Sequence, residues 1–326
     1  MTGPFRYTSP APPKSATGEV ADVYAQLATD FGIKDATTFV VLSASPPLLT
    51  ATWALMRESL LAGRASRTGK ELVAAGVSLA NRCPFCATAH AVLLHATGDH
   101  RLAETVLRGG EPEDPGDRSL LAWGKDMTTP RPFPEHETAE YVGTALAFHF
   151  INRVVSSLLS EQMLPGGLEK YRLVRRTAGR SLAATVRRDL RPGTSLPLLG
   201  TAGEAPPWAA DSPVGTAYGA LLSAAYQGAG LLSDEDAAFV RQSVAGWDGL
   251  APLPLNAPLP DRAERPGARL ALLAARAPYR ITDEDVAAWR VPPFTDHCLV
   301  HLIAFGAICA VERVEATMRT TAEERM

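Results

Sequence analysis

Cys83 and Cys86 are separated by two residues in "NRCPFCATAH", and His90 follows four positions after the second cysteine. Pro84 suits the first position of a helix, which sets Cys83 near the N-cap and Cys86 in the opening turn. Unpaired amides and the positive end of the helix dipole there favour a thiolate over a thiol. His90 lies at i+4 from Cys86 and i+7 from Cys83, so the three side chains share one helical stripe. An imidazole within reach of a thiol can take its proton and later return it. A partner thiol three positions away closes an intramolecular disulfide faster than a second molecule arrives. Two plainer readings compete. Cysteines at i and i+3 also serve as small buried hydrophobes. Cys-x-x-Cys with one histidine supplies three zinc ligands, but a closed site needs four and there is no second Cys-x-x-Cys.

Glu71 stands twelve positions before Cys83. Thr68-Gly-Lys-Glu71 has the form of a capping box, in which the glutamate satisfies an amide at the helix start. Twelve residues of straight helix span about 18 Å. For Glu71 to reach the thiols, its helix must end and the chain fold back, or a neighbouring subunit must supply the carboxylate. Other candidates are weaker. His95 turns off the Cys/His stripe and is expected at the surface or an interface. His149 sits in an apolar helix as a core histidine or pocket wall, and Asn152 and Arg153 could orient a substrate. His297 and His301 have a metal-capable spacing without an evident third ligand, and Cys298 and Cys309 read as core. Segment 169–191 carries eight basic residues against two acidic ones and reads as a solvated or acid-facing amphipathic helix.

The 326-residue chain is 46% hydrophobic with a formal net charge of -3, which suits a soluble globular protein and gives no general reason to expect nucleic acid or an anionic membrane as partner. No signal-peptide pattern opens the sequence, and the apolar run 298–311 is short for a bilayer span and carries His301. A cytoplasmic location is expected, where four cysteines are not a disulfide scaffold and a close pair points to catalysis or metal. Apolar residues recur at helical spacing over 18–31, 47–62, 69–82, 84–96, 100–108, 116–126, 137–161, 168–190, 214–228, 234–247, 267–276 and 296–318, with no sustained alternation. The fold class is therefore all-α. Thr97-Gly98 closes one helix and Asp99 can cap the next. Proline-rich breaks fall at 8–13, 190–213 and 250–266. They divide the chain into a domain over 1–190, a linker over 191–213 and a second helical domain over 214–326. The halves read as a tandem duplication: "GRASRTGKELVAAGVSLANRC" aligns with "GAGLLSDEDAAFVRQSVAGWD", and "ALAFHFINRVV" with "LIAFGAICAVE". In this register Asp248, Ala251 and Leu255 stand where Cys83, Cys86 and His90 stand, so the second copy has lost the motif.

Glu71, the twelve-position step to Cys83, and C-x-x-C-x-x-x-H, with Asn81 two before the first cysteine, resemble the signature of the alkylhydroperoxidase D-like proteins of the carboxymuconolactone decarboxylase superfamily. The strict resemblance covers roughly 60–110, and "AFHFINR" is similar to a later helix of longer relatives. It implies an all-helical fold, homo-oligomerisation and dithiol-dependent reduction of hydroperoxides, without haem, flavin or metal. By position, Cys86 would be the peroxidatic thiol and Cys83 the resolving thiol, His90 and Glu71 would relay protons, and an external dithiol would reduce the disulfide. Phe85 departs from better-characterised members, which carry histidine between the cysteines. Superfamily decarboxylases lack the paired cysteines. A lyase or other tailoring reaction on the same fold, or a non-catalytic interaction role, is the alternative.

Overall fold

The computed structural model describes residues 3–200 and 203–323. Positions 201 and 202 of the expected linker, and 1, 2 and 324–326 at the ends of the two expected domains, lie outside the described residues. The described chain is all-helical: α1 (Gly18–Gln26), α2 (Thr37–Val40), α3 (Pro46–Met56), α4 (Arg67–Ala80), α5 (Pro84–Thr97), α6 (His100–Leu107), α7 (Pro115–Lys125), α8 (Thr138–Leu158), α9 (Arg172–Val186), α10 (Pro213–Tyr226), α11 (Asp234–Ala245), α12 (Pro266–Arg276), α13 (Asp283–Trp289) and α14 (Asp296–Glu323). No strand occurs among the described residues. An isolated bridge between Phe5 and Leu159 lays the N-terminal segment over the end of α8.

Helices that are apolar on nearly every face must be buried, and α8 and α14 form the centre of the molecule. They pack against each other, as α3 packs against α10. The apolar run at 298–311, short for a bilayer span by itself, lies in α14, where the helical spacing over 296–318 placed it. Asp296–Met318 is long and apolar enough to cross a membrane, yet 78% of its most apolar window is buried inside the protein. One continuous core runs from Val23 to Met318 and draws on both halves of the chain. The proline-rich segment between the halves is tied down at its start. The buried Glu58 carboxylate accepts from the Gly193 amide at 2.6 Å and from the Ser195 hydroxyl at 2.6 Å. In the second half, Asp248, Ala251 and Leu255 lie in the loop between α11 and α12, where Gly249, Pro252 and Pro254 interrupt any helix. Asp248 there accepts from the amides of Leu250 and Ala251, both at 2.8 Å.

The helix that carries Glu71 is held by a glycine crossing. A Cβ at Gly124 would lie 2.4 Å from the Val73 carbonyl, and one at Gly76 would lie 2.6 Å from the Leu121 carbonyl, so α4 and α7 touch backbone to backbone. A methyl group there must push two helices apart. Gly124→Ala is expected to lower stability by about 1–3 kcal/mol, read as a fall in the urea midpoint at unchanged slope.

Candidate active site

The α4–α5 hairpin brings Glu71 and His90 together. Asn81 and Arg82 end α4, and Arg82 adopts φ +55°, reversing the chain so that Cys83 N donates to Ser78 O at 2.9 Å. Pro84 then opens α5 and Gly98, at φ +115°, closes it. Asp99 caps α6 through the amides of Arg101 and Leu102, as its position predicts. The residue capping α4 differs from the expected one. Ser66 is the N-cap, accepting from Gly69 N, and Glu71 falls in the second turn, where no free amide remains for it to cap. Folding back within one chain is the arrangement observed, with no need of a neighbouring subunit. Fully buried Glu71 accepts from His90 Nδ1 at 2.7 Å and from Arg67 Nε at 2.9 Å. Burial alone would raise its carboxyl pKa, but Arg67 and His90 hold it below the ordinary value. An ionised Glu71 fixes the proton on His90 Nδ1, which leaves Nε2 as the basic nitrogen. His90 Nε2 is buried without a hydrogen-bond partner, and the ring meets Phe148 edge-on at 4.3 Å.

Cys83 occupies the N-cap of α5, its sulfur accepting from Cys86 N at 3.4 Å, and the two sulfurs are 2.7 Å apart as free thiols. Burial opposes a charge on either sulfur. At Cys83 that cost is overcome by hydrogen bonds from the Cys86 thiol and amide, and its pKa is lowered. Burial, together with its neighbour Cys83, pushes the Cys86 thiol well up. Of the two sulfurs, Cys83 is therefore the more acidic, and Cys86 is the one that keeps its proton more firmly. Cys86 and His90 line a cavity of about 350 Å³ walled by apolar side chains that include Phe39, Leu60 and Phe148. Helix α9 forms part of its wall through Val174, Ala178 and Leu182, which gives the basic segment 169–191 its place. Arg175 of that helix clasps Glu104 through both oxygens, at 2.6 and 2.8 Å, and the same carboxylate accepts from His95 Nε2 at 3.0 Å. His95 is thus buried in an ion cluster, contrary to the expected surface position, because α9 covers it.

Residues 47–102 match the profile of the carboxymuconolactone decarboxylase family. The chain is also 39% identical, over 337 aligned residues, to the Mycobacterium tuberculosis protein named alkyl hydroperoxide reductase Rv2159c, with 97% of this chain and 96% of that protein covered. The chain is an alkylhydroperoxidase D-like member of the carboxymuconolactone decarboxylase family. No solved structure matches it. The family signature read from Glu71, Cys83, Cys86 and His90 falls on two adjacent helices of this fold. Phe85, in the place of the histidine of better-characterised relatives, is buried and forms wall rather than a titrating group.

Other predicted residues fall away from the cavity. His149 lies behind α4, with Asn81 Nδ2 and Arg153 Nη1 both 3.2 Å from its Nδ1. Asn152 accepts from Ser78 Oγ at 3.2 Å, and Arg153 donates to the carbonyls of Ala275 and His149. His301 Nε2 meets Ser45 Oγ at 2.9 Å, and His297 Nδ1 meets Ala44 O at 2.8 Å. Among the described residues no three His, Cys, Asp or Glu side chains are placed to hold a metal ion. Arg67, Phe148 and the Arg175–Glu104 clasp were not singled out in the sequence. Arg67 had a legible signal, its i,i+4 spacing to Glu71.

Two of these histidines set a pH limit. Burial, and the neighbouring His297, bring the His301 pKa down to about 4, while burial and Arg153 hold His149 well below its ordinary range. Both are neutral when folded and protonate near 6.5 when unfolded. The unfolded chain therefore binds more protons below that pH, and stability present above 6.5 is lost as pH falls toward 4. A histidine with these two pKa values contributes a loss of about 2 kcal/mol by pH 5. The urea midpoint is expected to drop between pH 7 and pH 5, and less steeply in His301→Gln.

Proposed function

We propose that this protein is a peroxidase-type oxidoreductase that reduces organic hydroperoxides through the Cys83–Cys86 pair. The observation that carries the reading is the shared cavity: Cys86 and His90 open into one apolar chamber, with a second sulfur 2.7 Å behind the first. A chamber of about 350 Å³ is of ligand size, and its apolar walls suit an alkyl hydroperoxide better than hydrogen peroxide. In the cycle, His90 Nε2 accepts the Cys86 proton while Glu71 stabilises the imidazolium through Nδ1. Cys86 Sγ attacks the terminal peroxide oxygen, the O–O bond breaks, and the alkoxide leaves with the proton returned by His90. Cys86 is then a sulfenic acid. The Cys83 thiol attacks that sulfur, its proton leaves with the oxygen as water, and the Cys83–Cys86 disulfide forms. An external dithiol supplies the two electrons that reopen it. The name of the M. tuberculosis relative supports the same class of reaction.

The remaining expectations fit this reading. Tyr171, at the N-cap of α9, and Leu173, in its first turn, are both largely exposed and offer an apolar surface for a homo-oligomer. The matching placement of α3 on α8 and α10 on α14 favours a tandem duplication with a 191–213 connector and a second half that lost the motif. A cytoplasmic location suits a cycle that a thiol reductant must renew. The test is consumption of an alkyl hydroperoxide with dithiothreitol, followed by peptide mass spectrometry of protein oxidised with one equivalent. Turnover with a Cys83–Cys86 disulfide is expected. Oxidised protein without that bridge overturns the reading.

A further inference from the structure

The two sulfurs line different cavities. Cys83 lines a second cavity, of about 330 Å³, together with Arg6, Arg82, Ser156, Glu161 and Tyr279. Phe85 lines both this cavity and the apolar one, so its ring forms the partition between them. Arg82 and Tyr279 also line a smaller recess, of about 30 Å³, to which Arg153, Arg276 and Trp247 contribute. The two polar recesses therefore adjoin, with Cys83 at one end.

Their charge is unbalanced. Arg153 is 4% exposed, yet its hydrogen-bond partners are neutral: Ala275 O at 2.7 Å, His149 O at 2.7 Å and His149 Nδ1 at 3.2 Å. Arg153 and Arg276 both lie over the Trp247 ring, at 5.7 and 5.1 Å. Arg276 Nε is buried without a hydrogen-bond partner. Arg6 is held by the carbonyls of Ile281 and Ser156, and Arg82 is exposed beside Cys83. Few carboxylates stand near these four cations: Asp283 reaches the Tyr7 hydroxyl beside Arg6. Asp248 is engaged by two amides and faces Arg313 as well as Arg276, and Glu161 lies in the Cys83 cavity. Buried guanidinium without a counter-charge is costly, and an anionic ligand offsets that cost.

We propose that this joined recess is the docking site of the reductant, and that the reductant is a thiol bearing a carboxylate or comparable anionic group. The proposal rests on the dithiol reading above. Arg82, Arg153 and Arg276 hold the anionic group, and the thiolate attacks Cys83 Sγ from this recess rather than from the hydroperoxide cavity. A bond forms between the reductant sulfur and Cys83 as the Cys83–Cys86 bond breaks. The electron pair passes to Cys86, which takes a proton through His90 from solvent, matching the one that the reductant thiol released on ionising. A second reductant thiol then attacks the reductant sulfur of the mixed disulfide. It expels Cys83, which takes that thiol's proton, and leaves the reductant as its disulfide, for two electrons and two protons in all. The two substrates thus reach adjacent sulfurs without sharing a pocket.

The experiment starts from full-length protein oxidised with one equivalent of hydroperoxide. Its disulfide is reduced by 3-mercaptopropionate, which is anionic, and by neutral 2-mercaptoethanol, and the ratio of the two rates is taken for wild type, Arg276→Gln and Arg82→Gln. Arg82 is exposed, so its variant keeps the test valid if Arg276→Gln folds poorly. The ratio is expected to fall about tenfold in either variant, the equivalent of about 1.4 kcal/mol, and added salt is expected to narrow the difference. An unchanged ratio in both variants overturns the docking site and leaves the dithiol reading standing. Absence of a disulfide in the oxidised protein overturns both.

Discussion

Cys86→Ser is expected to bring hydroperoxide consumption down to the rate without enzyme, whereas Cys83→Ser is expected to complete one turnover and stop as a sulfenic acid on Cys86. The two cysteines do not play equal parts, and acidity and position point to different nucleophiles. Cys83 has the lowered pKa, through the thiol and amide of Cys86. Cys86 has the cavity and shares it with His90. Position decides, because a bulky hydroperoxide must bring its O–O bond to the attacking sulfur, and the apolar chamber reaches Cys86. Low pKa is also a mixed advantage, since thiolate nucleophilicity falls with pKa at a Brønsted slope of about 0.4–0.5. A proton moved from Cys86 to His90 leaves, by that slope, a more reactive sulfur than the thiolate of the more acidic Cys83. Stopped-flow consumption of one equivalent, with trapping of the sulfenic acid by a carbon nucleophile, separates the cases. A burst retained by Cys86→Ser and lost by Cys83→Ser would exchange the two roles.

Much of this site was legible from residue spacing alone. Pro84 at N1, Gly98 at the C-cap and Asp99 at the next N-cap are local devices, and each acts where the sequence places it. Helical periodicity located the longer helices for the same reason, since an apolar stripe states which face is buried, and it passed over α2 and α13, which are too short to show one. What spacing could not show was how far apart in space two residues lie when the chain turns between them. Glu71 looked about 18 Å from the thiols along a straight helix, yet the reversal at Arg82 sets it against His90. Thr68 offered a plausible cap, but Ser66 two residues earlier took the position and freed Glu71 for the interior. His95 was misread because its burial comes from α9, some eighty residues later in the chain. The arginine-lined recess beside Cys83 also escaped notice, since it assembles side chains from Arg6 to Arg276. Sites formed within one hairpin are readable; sites formed by distant segments wait for coordinates.

That distinction sharpens the second large effect, which concerns Glu71. His90→Gln removes the proton acceptor, and general acid–base catalysis of this kind contributes about 10²–10⁴-fold. Glu71→Gln keeps the volume but removes the charge that fixes the imidazole tautomer and stabilises the imidazolium. A loss of about 10²-fold, at the low end of the same range, is expected. The substitution also strips Arg67 of its carboxylate partner, and breaking a buried pair from one side costs about 3–5 kcal/mol. Arg67 keeps some solvent contact, so the lower figure applies. Loss of activity in Glu71→Gln alone would therefore be ambiguous between chemistry and folding. The double variant Arg67→Met, Glu71→Gln resolves it, because no unpaired charge remains and stability should return toward wild type. Turnover should not return with it, since His90 still lacks an anion at Nδ1. Thermal unfolding and single-turnover peroxide consumption, measured on the same two variants, read the two quantities separately. Full recovery of both in the double variant would make Glu71 a structural anchor and leave His90 to act alone.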